Sequence, residues 1–424
     1  MLEINLIRTE PDFVKERLKV KNFKQLELVD EVIALDAERR RLQQVSEAAQ
    51  HESKSISKEI PMLYKQGKGK EAERLKLQAS SLKDNIKDYL DDLKVVEEKL
   101  HNALIVLPNL PHESVAMGNG ADDNEVVKEH GTHPDLGEDA KPHWELFEQY
   151  NIVSLELGTK IAGAGFPVFI GKGARLQRAM INFFLDEAIK AGYQEYMPPL
   201  MVNEASAYAT GQLPDKEGQM YHVTADDLFL IPTAEVPLTN IYRDTIVKEE
   251  DFPIKLVGYT PCFRREAGSY GAHVRGLNRV HQFEKVEIVQ LAHPEKSYEV
   301  LEQMVQHVES ILQKLGLPYR ILRLCGGDAT FTSALTYDFE TYSAAQKRWL
   351  EVSSVSNFET FQANRMMLRF RDNETKKMRL AHTLNGSALA LARIVATVLE
   401  NNQTPDGIVV PEVLRPYTGF DIID

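Results

Sequence analysis

The segment from 263 to 287 combines residue types that suit a nucleotide and an amine. Arg264 and Arg279 bracket a glycine-containing loop, and guanidinium groups bind phosphate oxygens through paired hydrogen bonds. Phe283 offers a flat face for a base, and Glu287 lies on the same face of a strand because side chains alternate with period two. We therefore predict a phosphate clamp, a base platform and a carboxylate acceptor on one sheet. A salt-bridged surface hairpin is the alternative.

Short strands and amphipathic helices must position these side chains. The patterns predict strands at 228–231, 255–259, 282–290 and 349–355, and helices at 175–191, 297–315 and 387–401. Strand-like stretches dominate the middle of the chain, which indicates a mixed, mainly antiparallel sheet flanked by helices rather than a βαβ series. No G-x-G-x-x-G or G-x-x-x-x-G-K-[ST] phosphate loop occurs, so Rossmann and P-loop folds have no support.

Residues 28–100 carry two heptad seams. Mostly apolar residues recur at alternating steps of three and four over 28–60, with interruptions at Arg39, Ser46 and Ser53, and again over 79–100, which predicts two coiled-coil helices. Gly67 and Gly69 predict a tight turn between them, so the helices pair antiparallel. Helices of about 35 residues would form an arm roughly 50 Å long. A coiled coil that dimerises two chains is the alternative.

Charge is distributed unevenly along the chain. Residues 1–100 hold 20 basic and 20 acidic residues, so the net charge of −13 falls on 101–424. Within 54–76, seven basic residues stand against three glutamates. This excess at the expected tip of the arm would attract a polyanion, although a solvated charged helix end is the alternative. The basic residues are Lys54, Lys58, Lys65, Lys68, Lys70, Arg74 and Lys76.

Composition and cysteine usage exclude several protein classes. A chain of 424 residues with 43% hydrophobic and 27% charged residues is an ordinary globular protein of more than one domain. Cys262 and Cys325 cannot build a disulfide framework. Glu3, Arg8 and Glu10 lie where a signal peptide needs an apolar run, and no 18-residue apolar stretch occurs. We therefore expect a cytoplasmic protein without membrane association.

The chain divides into three predicted regions. Residues 1–105 form the helical arm, 106–142 a linker and 143–424 the domain that carries the chemistry. The linker assignment rests on proline, glycine, asparagine and aspartate crowded together without periodicity. Its histidines match no metal-ligand spacing.

Several stretches resemble the motifs of one enzyme family. Phe263-Arg264-x-Glu266 with Arg279-x-His-Gln-Phe283 is similar to motif 2 of the class II aminoacyl-tRNA synthetases, in the form typical of bacterial seryl-tRNA synthetases. The other matches are Gly192 to Pro199 for motif 1, Thr233-Ala234-Glu235 for a serine-binding T-x-E motif, Glu351-Val352-Ser353-Ser354 for an E-x-S-S metal and ATP segment, and Thr383 to Arg393 for motif 3. The N-terminal hairpin resembles the tRNA-binding arm of these enzymes. Motif 3 departs from the family at Ala388 and Ala392, where glycine is common.

The resemblance implies an α+β fold, in which a class II catalytic domain at 143–424 follows the arm, and it implies an ATP site. Arg264 is expected to hold the α-phosphate and the substrate carboxylate, Phe283 to stack on adenine, and Arg393 to cover the opposite face of the base and reach the γ-phosphate. Glu351 and Ser354 are expected to hold Mg²⁺, which prefers oxygen ligands. Arg264, Glu351 and Arg393 are the expected catalytic residues. The remaining expected ATP contacts are Arg265, Glu266, Arg279, Val352 and Ser353.

The resemblance also implies the second substrate and the partners. The expected serine pocket consists of Thr233, Ala234, Glu235, Arg264, Glu287 and Ser387. Two carboxylates suit an ammonium and a hydroxyl, and a pocket built to hydrogen-bond a hydroxyl rejects alanine. The implied enzyme is a homodimer that attaches L-serine to tRNA(Ser), with tRNA(Sec) left open as a second acceptor.

Three alternative functions remain at this point. A non-catalytic paralogue that binds RNA is disfavoured by the presence of Arg264, Glu351 and Arg393. A ligase that loads a carrier protein is disfavoured by the long arm, which such relatives lack. A coiled-coil scaffold explains residues 28–100 and nothing after them.

Overall fold

The structure is a computed structural model that describes residues 1–215, 217–267 and 274–424. It contains two units, of which the first comprises Met1–Lys19 and Phe23–Pro108. The second unit comprises Val20–Asn22 and Asn109–Asp424.

The first unit is the predicted helical hairpin. Two short helices, α1 (Ile4–Thr9) and α2 (Pro11–Val20), precede two long ones, α3 (Glu27–Lys65) and α4 (Gly69–Val106). The long helices pack along each other, and three residues join them. Gly67 takes a positive φ of 74° in this turn, a conformation that glycine adopts without steric cost. The antiparallel hairpin and its turn are therefore confirmed.

Burial in the hairpin follows the two heptad seams. Leu42, Ala49 and Ile56 of α3 are buried, and so are Ala79 and Leu100 of α4. Leu42, Ala49 and Ile56 are spaced by one heptad each, and the buried Ser46 and Ser53 lie between them at steps of four and three. The seam therefore packs between the two long helices even where it is interrupted by serine.

A buried carboxylate ties α1 to α3. Asp36 has no exposed surface and pairs with Arg8 at 3.1 Å, Arg39 at 2.7 Å and Arg40 at 3.1 Å. Burial alone would raise the pKa of Asp36, but hydrogen bonds from Arg39 and Arg8 outweigh it and hold that pKa below its ordinary value. The pairing compensates the cost of burying the charge.

The second unit contains the remaining helices and all the strands of the described residues. The helices are α5 (His143–Tyr150), α6 (Leu155–Ile161), α7 (Gly171–Lys190), α8 (Glu204–Thr210), α9 (Glu235–Asn240), α10 (Ser297–Leu315), α11 (Thr360–Met366), α12 (Leu391–Asn401) and α13 (Arg415–Thr418). The strands are β1 (Glu125–His130), β2 (Val153–Ser154), β3 (Val168–Phe169), β4 (Gln194–Glu195), β5 (Met201–Val202), β6 (His222–Val223), β7 (Leu228–Leu230), β8 (Ile246–Val247), β9 (Ile254–Phe263), β10 (Gln282–Ala292), β11 (Tyr319–Arg323), β12 (Leu335–Ser343), β13 (Arg348–Asn357), β14 (Arg369–Arg371), β15 (Met378–Leu380), β16 (His382–Ala390), β17 (Gln403–Thr404), β18 (Gly407–Val409) and β19 (Ile422–Ile423).

One large sheet organises this unit. Within the described ranges its eight strands run in the order β1-β11-β12-β13-β16-β10-β9-β4. Neighbours are antiparallel, except that β4 runs parallel to β9. The sheet is therefore mixed and mainly antiparallel, which confirms the predicted fold class.

The two faces of the sheet have different surroundings. Val286 and Ile288 of β10 belong to the main hydrophobic core, together with buried residues of α7, α10 and α12. Val289, on the opposite face, packs with Ala234 and Leu238 of a smaller cluster. Helices α7, α10 and α12 therefore cover one face, while α9 covers part of the other, which also carries polar side chains.

Part of the segment predicted as a linker is a strand. Glu125–His130 form β1, which pairs with β11 at the edge of the large sheet. All six residues are exposed, so the segment lacks the apolar alternation by which a strand is recognised in a sequence. The prediction of an irregular linker is wrong for these residues. Backbone pairing with β11 forms the strand in spite of its polar side chains.

The helix predicted over 387–401 begins later than expected. Residues up to Ala390 belong to β16, and α12 starts at Leu391. Ser387 pairs with Glu287 and Gly386 with Val355, so β16 lies between two strands. A strand that is buried on both faces lacks period-two alternation, and its apolar residues therefore mimic a buried helix. The helical assignment of 387–390 is wrong for this reason.

Candidate active site

The predicted hairpin around the phosphate clamp is formed by β9 and β10. Phe283 pairs with Cys262 and Glu287 with Gly258, without a shift of register. Phe283, Lys285 and Glu287 therefore share the face of the sheet opposite Val286 and Ile288, as the alternation predicted. Loop residues 268–273, which belong to the predicted site segment, lie outside the described residues.

Arg264 links the base platform to the expected amino-acid pocket. Its guanidinium carbon lies 5.3 Å from the centre of the Phe283 ring, a distance at which cation and ring attract each other. Its Nε donates to the carbonyl oxygen of Pro232 at 3.3 Å. This carbonyl directly precedes Thr233. The arginine therefore lies between the aromatic ring and the T-x-E segment.

Two other charged residues of motif 2 pair with each other, and the backbone of a third is bonded to a segment outside the hairpin. Arg279 Nη1 lies 3.1 Å from Glu266 Oε2, and Glu266 has a positive φ of 48°. The backbone N–H of Arg265 donates to the carbonyl of Gln219 at 2.9 Å. An arriving phosphate would therefore compete with Glu266 for the guanidinium of Arg279.

Glu287 lies in a buried polar pocket that the sequence predicted only in part. Its Oε2 lies 2.7 Å from Lys285 Nζ and accepts a hydrogen bond of 3.4 Å from Ser387 Oγ. Only 6% of Lys285 and 2% of Glu287 are exposed. The role of Lys285 was missed, although its position two residues before Glu287 places it on the same face.

Glu235 lines the same region from the first turn of α9. Its Oε1 accepts a hydrogen bond of 2.7 Å from Gln362 Nε2, and Gln362 Oε1 accepts one of 2.7 Å from Thr383 Oγ1. Burial, followed by the negative charge of Glu287, raises the pKa of Glu235 to about 7. The two carboxylates are thus close enough to interact electrostatically.

The residues before Glu235 have mainly structural contacts. Thr233 Oγ1 accepts a hydrogen bond of 3.2 Å from the backbone N–H of Glu235. Ala234 is fully buried and packs in the cluster of Val289. These residues shape the start of α9 and thereby orient the carboxylate of Glu235.

A bulge places Glu351 and Ser354 on the same side of β13. Glu351 pairs with Glu340 and Ser354 with Asp338, which leaves Val352 as an extra residue between two paired positions. In a regular strand, residues three apart point to opposite faces. The bulge reverses this relation, so both oxygen-bearing side chains lie beside the carboxylates of β12.

Asp338 is a residue that the sequence reasoning missed at this site. The side chain of Ser354 hydrogen-bonds to Asp338. Burial, and next the charge of Glu351, raise the pKa of Asp338 well above its ordinary value. Its Oδ1 is buried without a hydrogen-bond partner. The register of β12 against β13 reveals this aspartate, which lies outside the motifs quoted above.

Val352 and Ser353 direct their side chains away from solvent. Val352 belongs to the main hydrophobic core, and Ser353 Oγ donates to the carbonyl of Ser387 at 2.6 Å. Any contact of these two residues with ATP therefore depends on their backbone atoms. In the same way, Ala388 of motif 3 packs in the main core, so its methyl group is not directed at the ligand face.

Arg393 connects three parts of the site from the first turn of α12. Its Nη1 donates to the carbonyl of Glu351 at 2.8 Å and lies 3.6 Å from the Oε1 atom of the same residue. Its Nε donates to the carbonyl of Asn278 at 3.1 Å. The three expected catalytic residues are therefore distributed along one face, with Arg264 beside Phe283 and Arg393 beside Glu351.

The basic residues of the arm are fully available to solvent. All seven are exposed and lie on both sides of the turn at 66–68. Lys68 lies 3.7 Å from Glu71, and Lys76 lies 3.7 Å from Glu73. Such exposed ion pairs are weak, so these lysines can exchange their partners for a polyanion.

Comparison with protein families matches both parts of the chain. The family model for the seryl-tRNA synthetase N-terminal domain matches residues 1–111. The family model for the class II tRNA synthetase core domain (G, H, P, S and T) matches residues 221–402.

Curated relatives match over nearly the full length. The chain is 49% identical to the serine–tRNA ligase of Salinibacter ruber, over 99% of this chain and 98% of that protein. It is 45% identical to the serine–tRNA ligase of Chlorobaculum parvum, over 100% of both chains. Among solved structures, it is similar to the seryl-tRNA synthetase from Pyrococcus horikoshii complexed with ATP. That match has a TM-score of 0.93 and 33% identity, and it covers 100% of this chain and 99% of that one.

Proposed function

The chain belongs to the seryl-tRNA synthetase family and is a serine–tRNA ligase, and we propose that the site on β10, β13 and β16 performs its chemistry. The reaction consumes ATP and L-serine to form seryl-adenylate and pyrophosphate, and the seryl group then passes to the 3′ end of tRNA(Ser). One observation carries the assignment to this site: Arg264 lies between the Phe283 ring and the pocket of Glu235 and Glu287.

Arginines and an aromatic ring bind ATP in this proposal. Phe283 stacks on adenine, and Arg393 covers the opposite face and reaches the γ-phosphate. Arg264 holds the α-phosphate and the serine carboxylate, which attacks the α-phosphorus in line while pyrophosphate leaves. Further contacts come from Arg265, Glu266 and Arg279, and from the backbone of Val352 and Ser353. Catalysis is then positioning and electrostatic stabilisation, without a protein nucleophile.

The buried carboxylates recognise serine. Glu235 and Glu287 bind its ammonium and hydroxyl groups, with Ser387 beside Glu287 and Thr233 and Ala234 shaping the wall. Lys285 holds the carboxylate of Glu287 in place through the 2.7 Å contact. Alanine lacks the hydroxyl and would leave these buried groups unpaired, so the pocket discriminates against it.

Oxygen ligands suit Mg²⁺ at the bulge of β13. Glu351 and Ser354 would hold the ion. Beside Ser354, the Oδ1 atom of Asp338 is buried and has no hydrogen-bond partner. The described residues contain no cluster of three or more histidine, cysteine or acidic side chains that forms a ready metal site. In protein sites Mg²⁺ takes one or two carboxylates and otherwise substrate phosphates and water. The ion would neutralise charge on the phosphates.

Serine binding should depend on pH through Glu235. Because the pKa of this carboxyl is raised to about 7, the ionised form that attracts ammonium is present above pH 7 and is lost below it. We expect the KM for serine in ATP–pyrophosphate exchange to rise about tenfold from pH 8 to pH 6. Steady-state exchange at saturating ATP measures it. In Glu235→Gln the profile should become flat, and a slope as steep as that of the unaltered protein would exclude Glu235 as its origin.

The arm binds tRNA(Ser), and we leave tRNA(Sec) open as a second acceptor. Its tip carries the exposed residues Lys54, Lys58, Lys65, Lys68, Lys70, Arg74 and Lys76, whose charge attracts the phosphate backbone. The acidic remainder of the chain repels the phosphate backbone, so electrostatic attraction directs the nucleic acid to the arm.

Shortening the arm separates the two steps of the reaction. Removing matched heptads of α3 and α4 between about 45 and 85 should lower kcat/KM for tRNA charging by roughly a hundredfold or more, since several phosphate contacts are lost. ATP–pyrophosphate exchange should stay within about twofold. Replacing the seven basic residues with glutamine at full arm length is the matched control for charge. Equal loss of both steps would contradict a role of the arm in RNA binding.

Two copies of the chain form a homodimer in this proposal. Apolar side chains are exposed in motif 1 and on either side of it, with Met197 91% exposed and Ile189 46% exposed. Leu200 and Met201, directly after the motif, are exposed as well. Exposed apolar residues at a surface are available for an interface between proteins. Sedimentation should give twice the 48.1 kDa mass of one chain, and a monomer at micromolar concentration would contradict the proposal.

The enzyme acts in the cytoplasm in this proposal. Cys262 and Cys325 are free and buried, as suits a reducing compartment. None of the helices formed by described residues has the length and apolar character to cross a membrane.

ATP–pyrophosphate exchange with each amino acid in turn, without tRNA, tests the function. Exchange with serine alone would support adenylation at this site. Absence of exchange with every amino acid, from folded protein with Mg²⁺, would favour a non-catalytic RNA-binding paralogue.

A further inference from the structure

A buried hydrogen-bond network connects the start of α5 to the end of α12. Glu400 and His143 are both fully buried. Oε1 of Glu400 accepts hydrogen bonds from the backbone N–H of His143 at 2.8 Å and from its Nδ1 at 2.6 Å. Ser343 Oγ donates to Oε2, and Gln346 Nε2 donates to Oε1 at 2.9 Å. Neutral donors therefore solvate this carboxylate, and no cation among the described residues pairs with it.

The histidine of this network also contacts the segment at 276–277, which leads from the loop of the β9–β10 hairpin into β10. The backbone N–H of Leu277 donates to His143 Nε2 at 2.9 Å. Because Nε2 accepts this bond, the imidazole is neutral and its proton lies on Nδ1, facing Glu400. A β-carbon added at Gly276 would lie 2.1 Å from Nε2 of His143, and Gly276 has a φ of 71°. The imidazole therefore packs closely against the backbone at 276–277.

A second branch leads from Glu400 to Arg393. Asn278 Nδ2 donates to Gln346 Oε1 at 3.0 Å, and the carbonyl of Asn278 accepts from Arg393 Nε at 3.1 Å. Arg393 and Glu400 are seven residues apart on α12, or about two helical turns, so both face the same side. The helix is thus connected to the hairpin in three ways: directly by Arg393, and from Glu400 through His143 and through Gln346.

We propose that His143, Gln346 and Glu400 are positioning residues for ATP, which act by holding Arg393 of α12 against Asn278 in the hairpin that carries Arg279 and Phe283. None of the three is assigned to contact the nucleotide. Hydrogen bonds in a buried network are stronger than in water and restrict the positions of the side chains that they join. A loosened Arg393 would bind ATP less well, while the pocket of Glu235 and Glu287 would be unaffected.

Gln346→Met tests this inference, which rests on the proposed function. Gln346 is half-buried in the turn between β12 and β13, so the variant should fold, whereas His143 and Glu400 are fully buried and changes there would leave more buried groups unpaired. The substitution keeps the volume and removes both amide contacts. We expect the KM for ATP in exchange to rise about tenfold, the loss of one to two hydrogen bonds, and the KM for serine to stay within about twofold.

Gln313→Met is the matched control. Gln313 donates to the hydroxyl of Tyr319 at 2.9 Å in the same unit, outside the network. This variant should have the KM for ATP of the unaltered protein. An unchanged KM for ATP in Gln346→Met, or the same change in both variants, would overturn the inference while the proposed function stands. Absence of serine-dependent exchange in the unaltered protein would overturn both.

Discussion

Replacing Arg264 with lysine should lower kcat/KM for serine-dependent ATP–pyrophosphate exchange about a thousandfold. The guanidinium lies between the Phe283 ring and the Pro232 carbonyl, where its planar fork can reach two oxygens together. Lysine keeps the positive charge but loses the fork. Loss of one preorganised donor to developing charge costs about two to three orders of magnitude in rate. Single-turnover adenylate formation would measure the effect on the chemical step.

Arg371→Lys is the control for this substitution. Arg371 is exposed at the end of β14, and no role in the site is proposed for it, so exchange should be unchanged. Thermal unfolding of both variants checks that they fold equally well. A loss of less than about tenfold in Arg264→Lys would mean that charge alone suffices, and it would remove the bidentate role.

Glu287→Ala should lower serine-dependent exchange by a comparable factor, about a thousandfold. The side chain is almost fully buried and has Lys285 and Ser387 as partners. Truncating one partner of a buried charge pair costs roughly 2–5 kcal/mol in binding. Removal of this acceptor should therefore abolish useful affinity for the substrate ammonium. The KM for serine and kcat should be measured separately, to divide the loss between binding and the chemical step.

The same change has a cost in stability that must be separated from activity. Without Glu287, the ammonium of Lys285 remains buried and unpaired, which destabilises a protein by roughly 3–5 kcal/mol. Glu287→Gln is the better-matched variant, because its amide oxygen still accepts from Lys285. Denaturant unfolding should show a smaller loss of stability for glutamine than for alanine. An unaltered KM for serine in folded Glu287→Gln would exclude Glu287 from the serine pocket.

Local sequence rules predicted most of the elements that carry the site. The period-two pattern around Val286 and Ile288 placed Phe283 and Glu287 on one face, and the paired strands confirm that alternation. Heptad spacing and Gly67 predicted the hairpin of α3 and α4. These features were readable because each depends on residues close together in the chain.

Features that depend on pairing between distant segments were missed. Glu125–His130 become a strand only because β11 offers an edge. The boundary between β16 and α12 is set by pairing with β10 and β13, since the apolar run across Ala388 and Leu391 suits either conformation. Backbone hydrogen bonds to a partner strand decided both cases against local patterns.

The sequence by itself determined the helical arm, the mainly antiparallel sheet, the basic tip and the face shared by Phe283 and Glu287, because short-range periodicity and charge specify them. Only the tertiary structure decided which groups meet. The bulge at Val352 turned Glu351 and Ser354 to the same side as Asp338, and the fold brought His143 onto Glu400 across the chain. Such contacts depend on strand register and on packing between residues far apart in the chain, and no local spacing encodes them.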